Sequence, residues 1–196
     1  MGSTRVVAAV VSLFLATAGC VGPANATRSR ATSPETVVIY AVKGDYDDVW
    51  DDLKMALGDR GLVISTISHV GEMIDRTGRA LGRTRPIFDK ANVMSFCSAV
   101  ISRNMLEQNP HLIAFCPYEI AVYSIAGAPG TIYLSYRHID WREPQDRPVL
   151  DAVEGLLSGI VKDVVASYDG VRVDRRRGPT VPALASQPNA PQGDTR

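Results

Sequence analysis

The sequence predicts an α+β domain, an antiparallel sheet backed by two longer helices plus a short helix. Two β-rich runs, Tyr118 to Ile125 and Thr131 to Arg137, flank Gly127-Ala128-Pro129-Gly130 and read as a hairpin. Val149, Val153, Leu156, Leu157, Ile160, Val164 and Val165 form the clearest apolar stripe in the chain, the mark of a helix with one face to bury. Hairpin-paired strands with long helices over one face separate this class from a doubly wound parallel sheet.

The elements follow in order. Thr36 to Val42 is β-branched and aromatic, a first strand. Asp45 can cap the next helix, and Asp47 and Asp48 in its first turn suit the positive end of the helix dipole. Tyr46, Val49, Trp50, Leu53, Ala56 and Leu57 share one face at helical spacing, and Gly61 supplies the stop. Leu62 to Ile67 is a second strand. Gly71 to Arg76 reads as a short helix, and Thr77 to Pro86 as a glycine-containing basic loop with Arg79, Arg83 and Arg85. A strand from Asn92 to Cys97 leads into a helix from Ser98 to Glu107 that stops at Asn109-Pro110. His111 to Phe115 reads as extended. After the hairpin, Pro144 opens the last helix at a position that tolerates proline, and Asp169-Gly170 ends it.

The 196 residues carry 21 basic and 21 acidic side chains, so the net charge is zero. No sustained basic face is present, which argues against nucleic acid as a partner. Arg175-Arg176-Arg177 reads as solvated tail charge rather than a lipid- or phosphate-binding patch. Composition divides the chain into a signal at 1–26, a Ser/Thr/Ala/Arg-rich tether at 27–35 and one α+β domain at 36–169. The segment 170–196 lacks an apolar period and is expected to be a disordered tail.

Arg5, the apolar run from Val6 to Ala18 and the small residues after it describe a secretory signal. The run is shorter than the roughly twenty residues of a membrane-spanning helix. Two processing routes compete. Ala24-Asn25-Ala26 suits ordinary cleavage before Thr27. Leu15-Ala16-Thr17-Ala18-Gly19-Cys20 resembles a bacterial lipobox, with Thr17 where Leu is usual. A lipidated Cys20 would anchor the protein to a membrane without spanning it. Either route implies export to the periplasm or cell envelope and leaves Cys97 and Cys116 as the thiol pair.

Those two cysteines are the chemistry-bearing residues. Cys97 ends a strand just before a helix that Ser98 can cap, where free amides and the helix dipole favour a thiolate. The chain from Asn109 to Cys116 is long enough to retrace that helix and bring Cys116 beside Cys97. An exporting route favours a disulfide, and closing such a loop is worth roughly 3 kcal/mol in the entropic model. A redox-cycling pair, with Cys97 reactive and Cys116 resolving, is the second reading. Their spacing contains no C-x-x-C element, so no cofactor and no metal site is assigned. Among His69, His111 and His138, only His111 is close enough in sequence to Cys116 to join a metal or haem site.

Other candidates are softer. Tyr118, Tyr123, Tyr133 and Tyr136 cluster on the hairpin, where strand tyrosines usually fill a core edge. Arg103 and Arg137 are candidates for bidentate anion binding, with a surface salt bridge as the plainer alternative. No Ser-His-Asp order, phosphate loop or paired-carboxylate element stands out.

Phe96-Cys97-Ser98-Ala99, Ser102-Arg103-x-Met105-x-Glu107-x-x-Pro110, Phe115-Cys116-Pro117-Tyr118-x-Ile120-x-Val122-Tyr123 and Pro129-Gly130-x-x-Tyr133-x-x-Tyr136-Arg137 occur in one order. Together they resemble the domain-of-unknown-function 302 family over about residues 36 to 140. The resemblance implies a small α+β fold in a TATA-binding-protein-like arrangement, and no activity. Many members carry Leu-Pro where this chain has Cys116-Pro117, and often Gly near Cys97. This chain therefore resembles a cysteine-bearing subset, and the departure implies that the two positions meet in space.

The sequence thus favours an exported envelope module that binds an unidentified small molecule or envelope protein. Its expected pocket lies where the Asn92 strand and the Tyr118 hairpin meet the Ser98 helix. Phe96, Ser98, Arg103, Pro117, Tyr118, Tyr136 and Arg137 are its candidate residues, with Cys97–Cys116 as a disulfide.

Overall fold

Among the described residues a six-stranded sheet, antiparallel throughout, organises the chain. The computed structural model describes residues 36–139 and 143–173, and these fall in one compact unit. The predicted signal, Cys20, the tether and the Arg175-Arg176-Arg177 run lie outside the described residues.

The strands are β1 (Val37–Lys43), β2 (Val63–Ser68), β3 (Phe88–Cys97), β4 (Tyr118–Ile125), β5 (Thr131–Arg137) and β6 (Val171–Arg172), and they lie in the sheet in the order β2-β3-β4-β5-β1-β6. The helices are α1 (Tyr46–Gly58), α2 (Val70–Ala80), α3 (Ala99–Gln108) and α4 (Arg147–Ala166). Among the described residues no helix is long and apolar enough to cross a membrane.

Alternation along the strands sorts side chains onto two faces. Val38, Tyr40 and Val42 of β1 stand opposite Tyr136, Leu134 and Ile132 of β5. Met94 and Phe96 of β3 stand opposite Ile120 and Tyr118 of β4. These residues are buried with Val49, Leu53 and Leu57 of α1, Met105 of α3 and Leu150, Val153, Leu157, Ile160 and Val164 of α4. One apolar core therefore lies between one face of the sheet and three helices, the layered solution expected of α+β chains.

Local chemistry sets the ends of the elements. Asp45 caps α1, its carboxylate accepting from the Asp47 amide at 2.8 Å. Gly61 takes φ +65 in the turn after α1, a conformation glycine adopts without strain. Ser98 caps α3 by accepting from the Ile101 amide. Asn109 then ends α3 and accepts from the His111 amide at 3.0 Å.

Five expectations need correction. The short helix at Gly71 to Arg76 is the eleven-residue α2, which absorbs the first part of the expected basic loop. Ile74 and Gly78 continue its helical period, and Leu81 is its C-cap. β3 begins at Phe88 rather than Asn92, because its first residues find partners on β4. Pro110–Phe115 is a 3-10 helix rather than extended chain, since the Asn109 cap turns the backbone as soon as α3 stops. A 3-10 turn at Pro144–Asp146 precedes α4, which starts at Arg147. The ordered chain also runs past residue 169: β6 pairs with Tyr40 and Ala41, and the Val173 amide donates to the Ile39 carbonyl at 2.8 Å.

Candidate functional site

The end of β3, the start of β4 and the end of β5 lie together at one end of the sheet. The register Phe96↔Tyr118 places Cys97 alongside the Cys116-Pro117 segment. The 3-10 segment carries the chain back from α3, and the Cys116–Pro117 peptide bond is cis. The two cysteines are half-buried free thiols within hydrogen-bonding reach of each other.

A polar chain runs from this pair into the domain. The Cys116 thiol donates to Ser102 Oγ at 3.4 Å, and Ser102 Oγ lies 3.0 Å from the Tyr118 hydroxyl. α3 places Ser102 one turn beyond its Ser98 cap. Tyr118 is buried, with its ring edge-on to Phe96 at 6.1 Å between centroids.

Burial pushes the Cys97 thiol up from its ordinary value, and the nearby Cys116 thiol adds to the shift. The Tyr118 backbone amide pulls the other way without prevailing. This runs against the expected thiolate at the head of α3: loss of solvent is the largest influence on the thiol. Burial also raises Tyr118 to about 12, against the hydrogen bond from Ser102 that lowers it.

A cavity of about 150 Å³ opens beside Tyr118, lined among others by Phe115, Glu119, Arg137, His138 and Leu157. Arg137 pairs with Glu119 at 3.1 Å across β4 and β5, both partners substantially exposed. Of the candidate residues, Tyr118 and Arg137 line this cavity. It separates others from it. Phe96 is wholly core, Ser98 is spent on its cap, Pro117 is exposed, and Arg103 pairs with Glu107 at 2.5 Å on the outer face of α3. Tyr136 points into the helical layer, where its hydroxyl donates to Glu154 at 3.2 Å; burial and that carboxylate raise it. His111 is exposed, and among the described residues no three His, Cys, Asp or Glu side chains form a metal-ligating group. A ligand set of Cys97, Cys116 and His111 is therefore not assembled.

Glu154 is the residue that motif reading misses. Its two oxygens take the Tyr136 hydroxyl and the Ile139 amide, and one approaches His138 Nδ1 at 3.2 Å. The signal available was its position on α4, a carboxylate flanking the Val153–Leu157 apolar stripe.

The family model for Domain of unknown function DUF302 matches residues 38–164. A crystal structure of an uncharacterized conserved DUF302 protein from Bacillus stearothermophilus superposes with a TM-score of 0.53 at 14% identity, covering 66% of this chain and 98% of that one. At that identity the likeness is one of fold. No curated protein matches the chain.

Proposed function

The chain belongs to the DUF302 family, and on that premise we propose that it is an exported cell-envelope binding module whose Cys97–Cys116 pair closes as a disulfide beside a small ligand site. The observation that carries the reading is the convergence of Tyr118, Glu119, Arg137 and His138 on one cavity, next to the thiol pair. About 150 Å³ is below the roughly 300 Å³ of an ordinary drug-sized pocket. The ligand is then a few heavy atoms, or one side chain of an envelope partner. The Arg137–Glu119 pair is solvent-exposed and correspondingly weak, so Arg137 can exchange Glu119 for an acid on the ligand at little cost.

The raised Cys97 thiol supports a structural bond over a redox-cycling thiol, because a nucleophile needs the thiolate. Export, by the signal at the N-terminus, supplies the oxidising surroundings. Lipidation at Cys20 would add a membrane anchor.

The test is an intact mass spectrum of the protein isolated from the envelope, before and after reduction. The expected mature protein starts at Thr27 or at a lipidated Cys20, and gains two hydrogens on reduction. A native spectrum should also show a small adduct that Arg137→Gln loses. An unprocessed N-terminus with all three cysteines alkylatable and no adduct would sink the reading.

A further inference from the structure

At the opposite end of β3 lies a cavity of about 460 Å³, within the usual size of a ligand site. The second half of α2 forms one wall, with Ile74, Asp75, Gly78 and Arg79. The loop from Leu81 to Ile87 forms the other and contributes Arg83 and Arg85.

The loop is held in shape. Gly82 takes φ +69, its amide donates to the Arg79 carbonyl at 3.1 Å, and the Arg83 amide donates to the Gly78 carbonyl at 2.8 Å. That pair of bonds is the Schellman ending of a helix. It folds the loop back over α2 so closely that a Cβ on Gly78 would lie 2.7 Å from the Arg83 oxygen.

Two properties of the lining point to one class of ligand. Arg79, Arg83 and Arg85 make no ion pair among the described residues, and Asp75, the one carboxylate in the lining, pairs with none of them. Leu81 and Ile87 are 52% and 37% exposed, beside Ile74 and Pro86. Unpaired guanidiniums match the oxygens of a phosphate in bidentate fashion, and three suit a dianion better than a single carboxylate. The exposed leucine and isoleucine would lose water against an alkyl chain.

We propose that this cleft binds an amphipathic phosphate: a phosphate monoester head on Arg83 and Arg85, with an apolar chain against Leu81 and Ile87. The site is independent of the cysteine end of the sheet. Its ligand can be a soluble alkyl phosphate or the head of an anionic lipid.

Titration calorimetry of the full chain with octyl phosphate, inorganic phosphate and octanol tests it. Octyl phosphate should bind most tightly and weaken as salt is added. The Arg83→Gln/Arg85→Gln variant should lose about tenfold or more, the equivalent of one charge-assisted hydrogen bond. Leu81→Asn should weaken octyl phosphate and leave inorganic phosphate unchanged, and Arg103→Gln should change neither. The altered side chains are exposed, and circular dichroism checks that each variant folds. Arginine-dependent retention on phosphatidic acid vesicles would identify a lipid head as the source; binding of octyl phosphate alone would identify a soluble ligand. The proposal is overturned by no heat with octyl phosphate, by equal affinity in the double-arginine variant, or by inorganic phosphate binding as tightly as the octyl ester.

Discussion

Ser102 Oγ lies 3.0 Å from the Tyr118 hydroxyl, and this contact ties α3 to the first residue of β4. Tyr118 is buried, so its hydroxyl has no ready exchange with water. Ser102→Ala should cost roughly 1–3 kcal/mol, the penalty for leaving a buried polar group unpaired. Tyr118→Phe removes the stranded hydroxyl, so the double variant should be less destabilised than the two singles added together. Urea unfolding of all three gives the coupling. Additivity to within a few tenths of a kcal/mol would show that the two hydroxyls do not interact.

The reduced protein should show an unreactive Cys97. Its thiol is raised by burial first and by Cys116 second, so little thiolate is present at neutral pH. Alkylation followed by mass spectrometry across a pH series should give a half-point above that of an ordinary thiol. Cys116→Ser should move it down without restoring the ordinary value, because burial remains. A half-point at or below the ordinary value in the reduced wild type would contradict the burial argument and revive the redox reading.

Most of the core was legible because its signals are periodic. The β4–β5 hairpin, the faces of α1 and α4, and the caps Asp45 and Ser98 follow from spacing and turn chemistry alone. The site was legible in part. Tyr118 and Arg137 reach the cavity because they stand at strand ends that the register aligns. Ser102 and Glu154 were not legible, since each acts through a partner distant in sequence. The α2 ending was misread for a different reason. Gly78 and Gly82 look alike in sequence, yet one lies inside the helix under the Arg83 carbonyl and the other terminates it. The direction in which the Cys97 thiol is shifted was not legible, because a helix terminus is visible in sequence and burial is not.

Two glycines should be intolerant of alanine for steric reasons. At Gly78 alanine would gain about 1 kcal/mol of helix propensity. Its Cβ would meet the Arg83 carbonyl at 2.7 Å, however, and backbone cannot move aside cheaply. At Gly170 a Cβ would lie 2.5 Å from Val42 and 2.8 Å from Val165, where β6 turns back onto β1. Gly170→Ala should therefore destabilise by roughly 1–3 kcal/mol, the range for overpacking. Gly78→Ala should give a net loss and faster amide exchange at Arg83. A stabilised Gly78→Ala protein would show that the loop does not rest on α2.

Stability should fall on the alkaline side of neutral pH. Burial raises Tyr46 and Tyr118 from 10.0 to about 12. The Tyr46 hydroxyl donates to the Val122 carbonyl, a bond that the phenolate cannot make. Between those two values the folded state holds protons that the unfolded chain has released, so rising pH favours unfolding. The stabilisation is complete below about pH 10, the unfolded value, and drains away as pH climbs toward the folded one. Each buried phenol accounts for roughly 2–3 kcal/mol over that window, at about 1.36 kcal/mol per unit. Tyr136 and Tyr168 are raised as well and act in the same direction, the first beside Glu154 and the second donating to Asp52 at 2.7 Å. Denaturant midpoints measured from pH 7 to 12 should drop beyond pH 10 together with the phenolate absorbance, and Tyr118→Phe should make the drop shallower. An alkaline limb of unchanged slope in that variant would mean that Tyr118 ionises as freely in the folded protein as in the unfolded chain.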